Sequence, residues 1–208
     1  MDMTMPISPV PDCGPTQGRR SRQRGVGLLE VMVTVIVVSV GLIGMAGLQV
    51  ATKRAGFQAS QRTLALSLAN DMMQRITLNP VSLTAYATGS APVGSGSIAS
   101  APTKCLGGAA AASCTAAQLV AWDMWEWEQR IDGASTLNKD ASNANAGGLV
   151  SPSGCVVVNG TQVRVIINWR GLVATTDPAD ANTSCGTWAT ADLPYRQQVV
   201  INSVMSAL

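Results

Sequence analysis

The sequence predicts an α+β fold in which one very long N-terminal helix is followed by a C-terminal antiparallel β-sheet head. Three observations carry this. Residues from Val26 to Thr52 hold one ionisable side chain, Glu30, and run into a proline-free stretch that ends at Pro80. Thr115 to Ile131 shows a capped, apolar-striped helix pattern, and two β-rich runs flank Asn159-Gly160 with a third from Arg196 to Val204. Strands laid across helices in separate parts of the chain make an α+β domain.

The first element explains the composition. With 47% hydrophobic and 12% charged residues, the chain is more apolar than an ordinary soluble domain. The excess sits between Val31 and Val50, VMVTVIVVSVGLIGMAGLQV, and roughly 20 such residues suffice to cross a hydrocarbon core of about 30 Å. Arg19, Arg20, Arg22 and Arg24 stand before it. A cationic cluster of this kind is retained in the cytoplasm, so everything after Thr52 is expected on the far side of an inner membrane. A cleaved secretory signal has a shorter apolar region, about 7–15 residues, ending at an A-x-A-like site; Val50-Ala51-Thr52 is a poor one. Glu30 is costly at membrane depth and therefore functional by default. No Lys or Arg in the run neutralises it, so its partner has to be another chain or a newly made amino terminus.

Arg24-Gly25-Val26-Gly27-Leu28-Leu29-Glu30, leading straight into an apolar helix, resembles the amino-terminal signal of type IV pilins and pseudopilins. The resemblance implies cleavage by a prepilin peptidase between Gly25 and Val26, methylation of Val26, and a fifth-position acid at Glu30. The sequence departs from the usual pattern at Val26, where Phe is common, and at Gly27, where Thr or Ser is common. The likeness continues through Gly41 to Gln49 and Ala69 to Met73 and is greatest to minor pilins of the PilV type. It implies a pilin-like fold with residues 1–25 as leader, 26–52 as transmembrane and assembly helix, and 53–208 as periplasmic head. Glu30 would then pair with the free amine at Val26 of a neighbouring subunit, using a buried charge to set register.

Beyond the membrane, Leu64, Leu68, Met72 and Ile76 repeat at i, i+4 beside Ala65, Ala69 and Met73, so the helix is expected to continue to Leu78 and stop before Pro80. From Val26 that is about 80 Å of helix at 1.5 Å per residue. Gly41, Gly44 and Gly47 fit either general glycine enrichment in membrane helices or close packing. Residues from Asn79 to Ser113 are dominated by Ala, Gly, Ser, Thr and Pro and read as a long irregular loop; in pilins the corresponding connection is exposed and variable.

Thr115-Ala116-Ala117-Gln118 is a capping box, and Val120, Met124, Trp127 and Ile131 form an apolar stripe behind it. Trp122 and Trp125 fall on the opposite side, so the helix is either buried on both faces or shows one to a partner, and a core sandwich is the expected reading. Asn159-Gly160 between two β-rich runs is a hairpin signal, and the run from Arg196 to Val204 supplies the third strand.

Cys13 lies in the leader, leaving Cys105, Cys114, Cys155 and Cys185, an even number for an oxidising compartment. Three pairings are open; proximity favours Cys105 with Cys114 and Cys155 with Cys185. A four-thiolate zinc site lacks the close pairs it needs, so no metal and no cofactor is expected.

No histidine is present, which removes Ser-His-Asp and Cys-His nucleophiles and His-ligated metals. A net charge of +2 without a basic face argues against nucleic acid. Removing four arginines and two aspartates with the leader leaves ten positive and ten negative side chains. Asp123, Glu126 and Glu128 offer carboxylates to a membrane-anchored periplasmic enzyme, but they spread around their helix and read as solvated charges. The expected function is non-catalytic, a minor pilin that primes pilus assembly; a type II secretion pseudopilin is the neighbouring alternative. The partners implied by the resemblance are the prepilin peptidase, other minor and major pilins, the inner-membrane assembly platform and a tip adhesin.

Overall fold

A computed structural model describes residues 27–89, 91–105, 114–134, 136, 145 and 147–205. Gly25 and Val26, the expected cleavage and methylation positions, lie outside the described residues, as does Cys13. The chain falls into two units, Met1–Leu48 and Gln49–Leu208.

The element order is α1 Leu28–Leu78, a 3-10 turn Pro80–Tyr86, α2 Ala116–Ile131, β1 Ser153–Asn159, β2 Gln162–Arg170, a short 3-10 turn Leu193–Tyr195, and β3 Arg196–Val204. Among the described residues α1 runs from Leu28, and the Gly27 carbonyl before it accepts from the N–H groups of Glu30 and Val31 at 2.9 and 3.2 Å; the expected start at Val26 lies outside the described residues. It stops at Leu78, two residues before Pro80.

In the larger unit, β1, β2 and β3 form one antiparallel sheet in sequence order. Asn159 pairs with Gln162, so Gly160 and Thr161 alone make the turn. Gly160 takes φ +60°, the left-handed conformation that two-residue hairpins demand and that glycine adopts without steric cost. Alternation along β2 divides the sheet faces. Val163, Val165, Ile167 and Trp169 enter the main core with Ala65, Leu68, Ala69, Met72 and Ile76 of α1 and Trp127 and Ile131 of α2. Ile166 faces the other way, into a small cluster with Cys155 and Cys185. That face is covered by the segment between β2 and β3. Asn168 Nδ2 donates to the Cys185 carbonyl at 3.1 Å, and Arg164 Nη1 to the Asn182 carbonyl at 2.6 Å. Arg196 grips Asp177 through two hydrogen bonds.

Two expectations are corrected. The stretch after Asn79 is not simply an exposed loop: Tyr86 is fully buried in the core, and Val93 pairs with Gly154 beside β1. The polar composition hid one aromatic anchor and one strand-like bridge. Trp122 and Trp125 are not core residues either; both are half-buried and pack on each other with ring centroids 5.0 Å apart. The sandwiched face of α2 carries Trp127, whose indole N–H donates to the Leu68 carbonyl of α1 at 3.0 Å.

Candidate functional site

The first unit consists, in its described part, of α1 from Leu28 to Leu48. Each of residues 27–48 is exposed, including Leu28 at 79% and Ile43 at 74%. Among the described residues, α1 is the one helix long and apolar enough to cross a membrane. Aliphatic side chains exposed around a whole helix circumference cost about 25 cal/mol per Å² in water, so this surface demands lipid or other helices. A Cβ added at Gly41, Gly44 or Gly47 meets nothing within 4 Å; any close approach there has to come from another chain. Glu30 lies in the first turn of α1, where the positive end of the helix dipole favours an acid, and its side chain is exposed.

The second unit carries a charge cluster where α1 ends against α2. Arg75 reaches Asp71 at 2.9 Å, Asp123 at 2.8 Å and Glu126 at 2.8 Å. Arg130 closes the ring on Asp71 at 3.1 Å and Glu126 at 2.9 Å. The Tyr86 hydroxyl donates to Asp123 Oδ2 at 2.6 Å. Burial disfavours the Arg75 cation, but its contacts with Glu126 and Asp71 outweigh that and raise its pKa. Burial and the bond to Asp123 push the Tyr86 phenol up as well. Burial opposes ionisation of Glu126, yet Arg75 and Arg130 prevail and hold its carboxyl below the ordinary value.

Glu128 is fully buried and serves a different end. It accepts from the Gly94 N–H at 3.1 Å, the Ser97 hydroxyl at 2.5 Å and the Ile98 N–H at 2.9 Å. One turn later Asp132 accepts from the N–H groups of Ser95 and Gly96 at 2.7 and 2.9 Å. The two carboxylates thus clamp one loop onto the end of α2.

These contacts overturn the reading of Asp123, Glu126 and Glu128 as solvated charges. Asp123 and Glu128 are buried, and Asp123 and Glu126 converge on one guanidinium. Every carboxylate oxygen in the cluster is directed at a cation, hydroxyl or backbone N–H, so the three are structural and leave no general acid or base facing a substrate. The four cysteines form two disulfides, Cys105–Cys114 and Cys155–Cys185, which removes free thiolates as zinc ligands. Among the described residues, no group of three or more His, Cys, Asp or Glu is arranged to hold a metal ion. Sequence reasoning missed Tyr86, Arg75 and the loop clamp; the available signals were the spacings of four in Asp71–Arg75 and Glu126–Arg130.

An exposed apolar helix long enough to cross a membrane, followed by a disulfide-bonded α+β head, fits a membrane-anchored protein. Residues 20–46 match the family model of the prokaryotic N-terminal methylation motif, and residues 47–125 match that of the type IV pilin Tt1218. Together the two matches run over residues 20–125 and support a type IV pilin family, which is structural and not enzymatic. No curated protein and no solved structure matches it.

Proposed function

We propose that the chain is a minor type IV pilin of the PilV kind, which enters a short complex with other pilins and primes growth of the fibre. The observation that carries this is the pairing of a methylation-motif match over residues 20–46 with an exposed apolar helix bearing Glu30 in its first turn. In this reading the prepilin peptidase cuts between Gly25 and Val26 and methylates Val26. Residues 26–52 hold the subunit in the inner membrane until assembly, with the amino terminus cytoplasmic and residues 53–208 periplasmic. The amine at Val26 of one subunit then meets Glu30 of the next, so that a charge unfavourable in lipid becomes favourable only in correct register. The assembly platform extracts the complex, and a tip adhesin is carried on it.

Mass and amino-terminal sequence of the protein from membranes of a peptidase-positive cell test the reading. A chain beginning at N-methylated Val26 is expected; one beginning at Met1 or near Gln49 refutes it. Glu30→Ala should still be inserted and cut but be missing from sheared fibres, and deletion of the gene should reduce piliation while leaving type II secretion intact. Loss of secretion with normal fibres would assign the chain to the secretion pseudopilins instead.

A further inference from the structure

The charges of the head are not distributed evenly between inside and outside. Among the described residues of the head, every carboxylate is engaged within the chain. Asp71, Asp123 and Glu126 surround Arg75 and Arg130; Asp177 holds Arg196; Asp192 meets Arg170. Glu128, Asp132 and Asp180 accept from backbone N–H groups. Lys53 and Arg54, like Arg62 and Lys104, are exposed and have no ion-pair partner among the described residues, and residues 31–70 contain no Asp or Glu; Lys53 and Arg54 are the two that directly follow the aliphatic run. They follow Val50, the end of the aliphatic run, by three and four positions on α1, a rise of about 4.5–6 Å. Long cationic side chains at that height lay their stems along apolar surface and deliver their heads to the phosphate layer.

We propose that Lys53 and Arg54 form a clasp for the phosphodiester of an anionic phospholipid in the leaflet facing the head. The proposal rests on the reading of residues 26–52 as membrane-embedded before assembly. Once the four leader arginines are gone, Lys53 and Arg54 are the only cationic side chains between residues 26 and 61, and the amine at Val26 lies at the other end of the span, so the clasp is the electrostatic hold on the leaflet facing the head. Arg62 is also exposed, but at eight residues beyond Arg54 it stands about 12 Å further along the helix, past the screening length of about 8 Å at physiological salt. It belongs to the head surface and not to the clasp.

The test uses the processed chain beginning at Val26, purified from peptidase-positive membranes into nanodiscs or neutral detergent, with phosphatidylglycerol and phosphatidylcholine as competing probes read by native mass spectrometry or spin-labelled lipid. Near an anionic surface each cation contributes about five-fold, so wild type should prefer phosphatidylglycerol by about 25-fold in 0.15 M salt. Lys53→Gln/Arg54→Gln should bring the ratio close to one, and Arg62→Gln should leave it within about two-fold of wild type. Unchanged thermal unfolding of the double variant confirms that the fold is intact. A wild-type ratio near one, an unaffected double variant, or an equal loss in Arg62→Gln overturns the clasp. So does a double variant that keeps lipid preference but fails to join other pilins, since the cations would then meet acidic groups of a neighbouring subunit. Alkaline extraction of the same membranes separates the two levels: a chain released by carbonate refutes membrane embedding, whereas a retained chain without lipid preference refutes the clasp alone.

Discussion

Arg75→Met removes the cation around which three carboxylates are arranged, and the structure says which of them suffers. Asp71 and Glu126 retain Arg130 at 3.1 and 2.9 Å. Asp123 does not: its side chain is 5% exposed, and the remaining partner is the Tyr86 hydroxyl at 2.6 Å. A buried carboxylate stripped of its counter-ion costs about 3–5 kcal/mol. For a domain of this size each kcal/mol moves Tm by about 2–4 °C, so a fall of about 6–20 °C is expected. Thermal and urea unfolding of the full chain in detergent at pH 7, followed by near-ultraviolet circular dichroism of the tryptophans, measures it. Asp123→Asn in the Arg75→Met background removes the stranded charge and should recover stability, giving a coupling of at least about 2 kcal/mol in the double-mutant cycle. A Tm change below 2 °C, or additive single and double variants, would refute the claim that Arg75 neutralises a buried Asp123.

Three further outcomes are expected. Gly154→Ala would put a Cβ 2.6 Å from Trp127 Cη2 and 3.0 Å from Ile131 Cδ1, an overpacking that should cost about 1–3 kcal/mol in urea unfolding. Replacing Cys155 and Cys185 by serine opens a 30-residue separation and should destabilise the head by about 3.5 kcal/mol, against about 2.5 kcal/mol for the nine-residue Cys105–Cys114 separation; the reverse ranking would contradict the loop-closure account. Glu126 and Asp177 have carboxyls held below their ordinary values of 4.5 and 3.8 by arginine contacts. Their folded values are depressed, so the stability they contribute is complete above the unfolded values and is lost as pH falls through the folded ones. Unfolding between pH 5 and pH 2 should therefore become steadily easier, and Asp177→Asn should flatten part of that slope.

How much was legible in the sequence follows from how local each signal is. The capping box at Thr115 and Gln118 forms as read, with both reciprocal hydrogen bonds present, because all its atoms lie within four residues. The hairpin at Gly160 and the strand from Arg196 to Val204 were legible through turn chemistry and β-rich composition. The methylation motif was legible because it is one contiguous stretch of sequence. Tyr86 gave no periodic signal inside a seven-residue 3-10 turn. Arg75 finds Asp123 and Glu126 at separations of 48 and 51 residues, beyond any spacing rule. Asp123 and Glu128 were misread because lone carboxylates are almost always solvated; only the positions of Tyr86, Arg75 and residues 94–98 make their burial tolerable. Trp122 and Trp125 were misread because two apolar faces on a helix do not say which one meets the core.

The loop clamp bears on the order in which the head assembles. Glu128 and Asp132 place two negative charges at the end of α2, where the helix dipole is already negative and Arg130 is the one cation of the last turn. These charges are compensated when the N–H groups of residues 94–98 arrive, and Val93 at their head is hydrogen-bonded to Gly154 of the sheet. The first turn of α2 carries its own cap and can form early. Pulsed hydrogen exchange that protected residues 129–132 before residues 94–98 would contradict this sequence of events. The expected order is therefore that α2 closes from its N-terminal end, and that its final turn is completed by contacts from residues 94–98, distant in sequence.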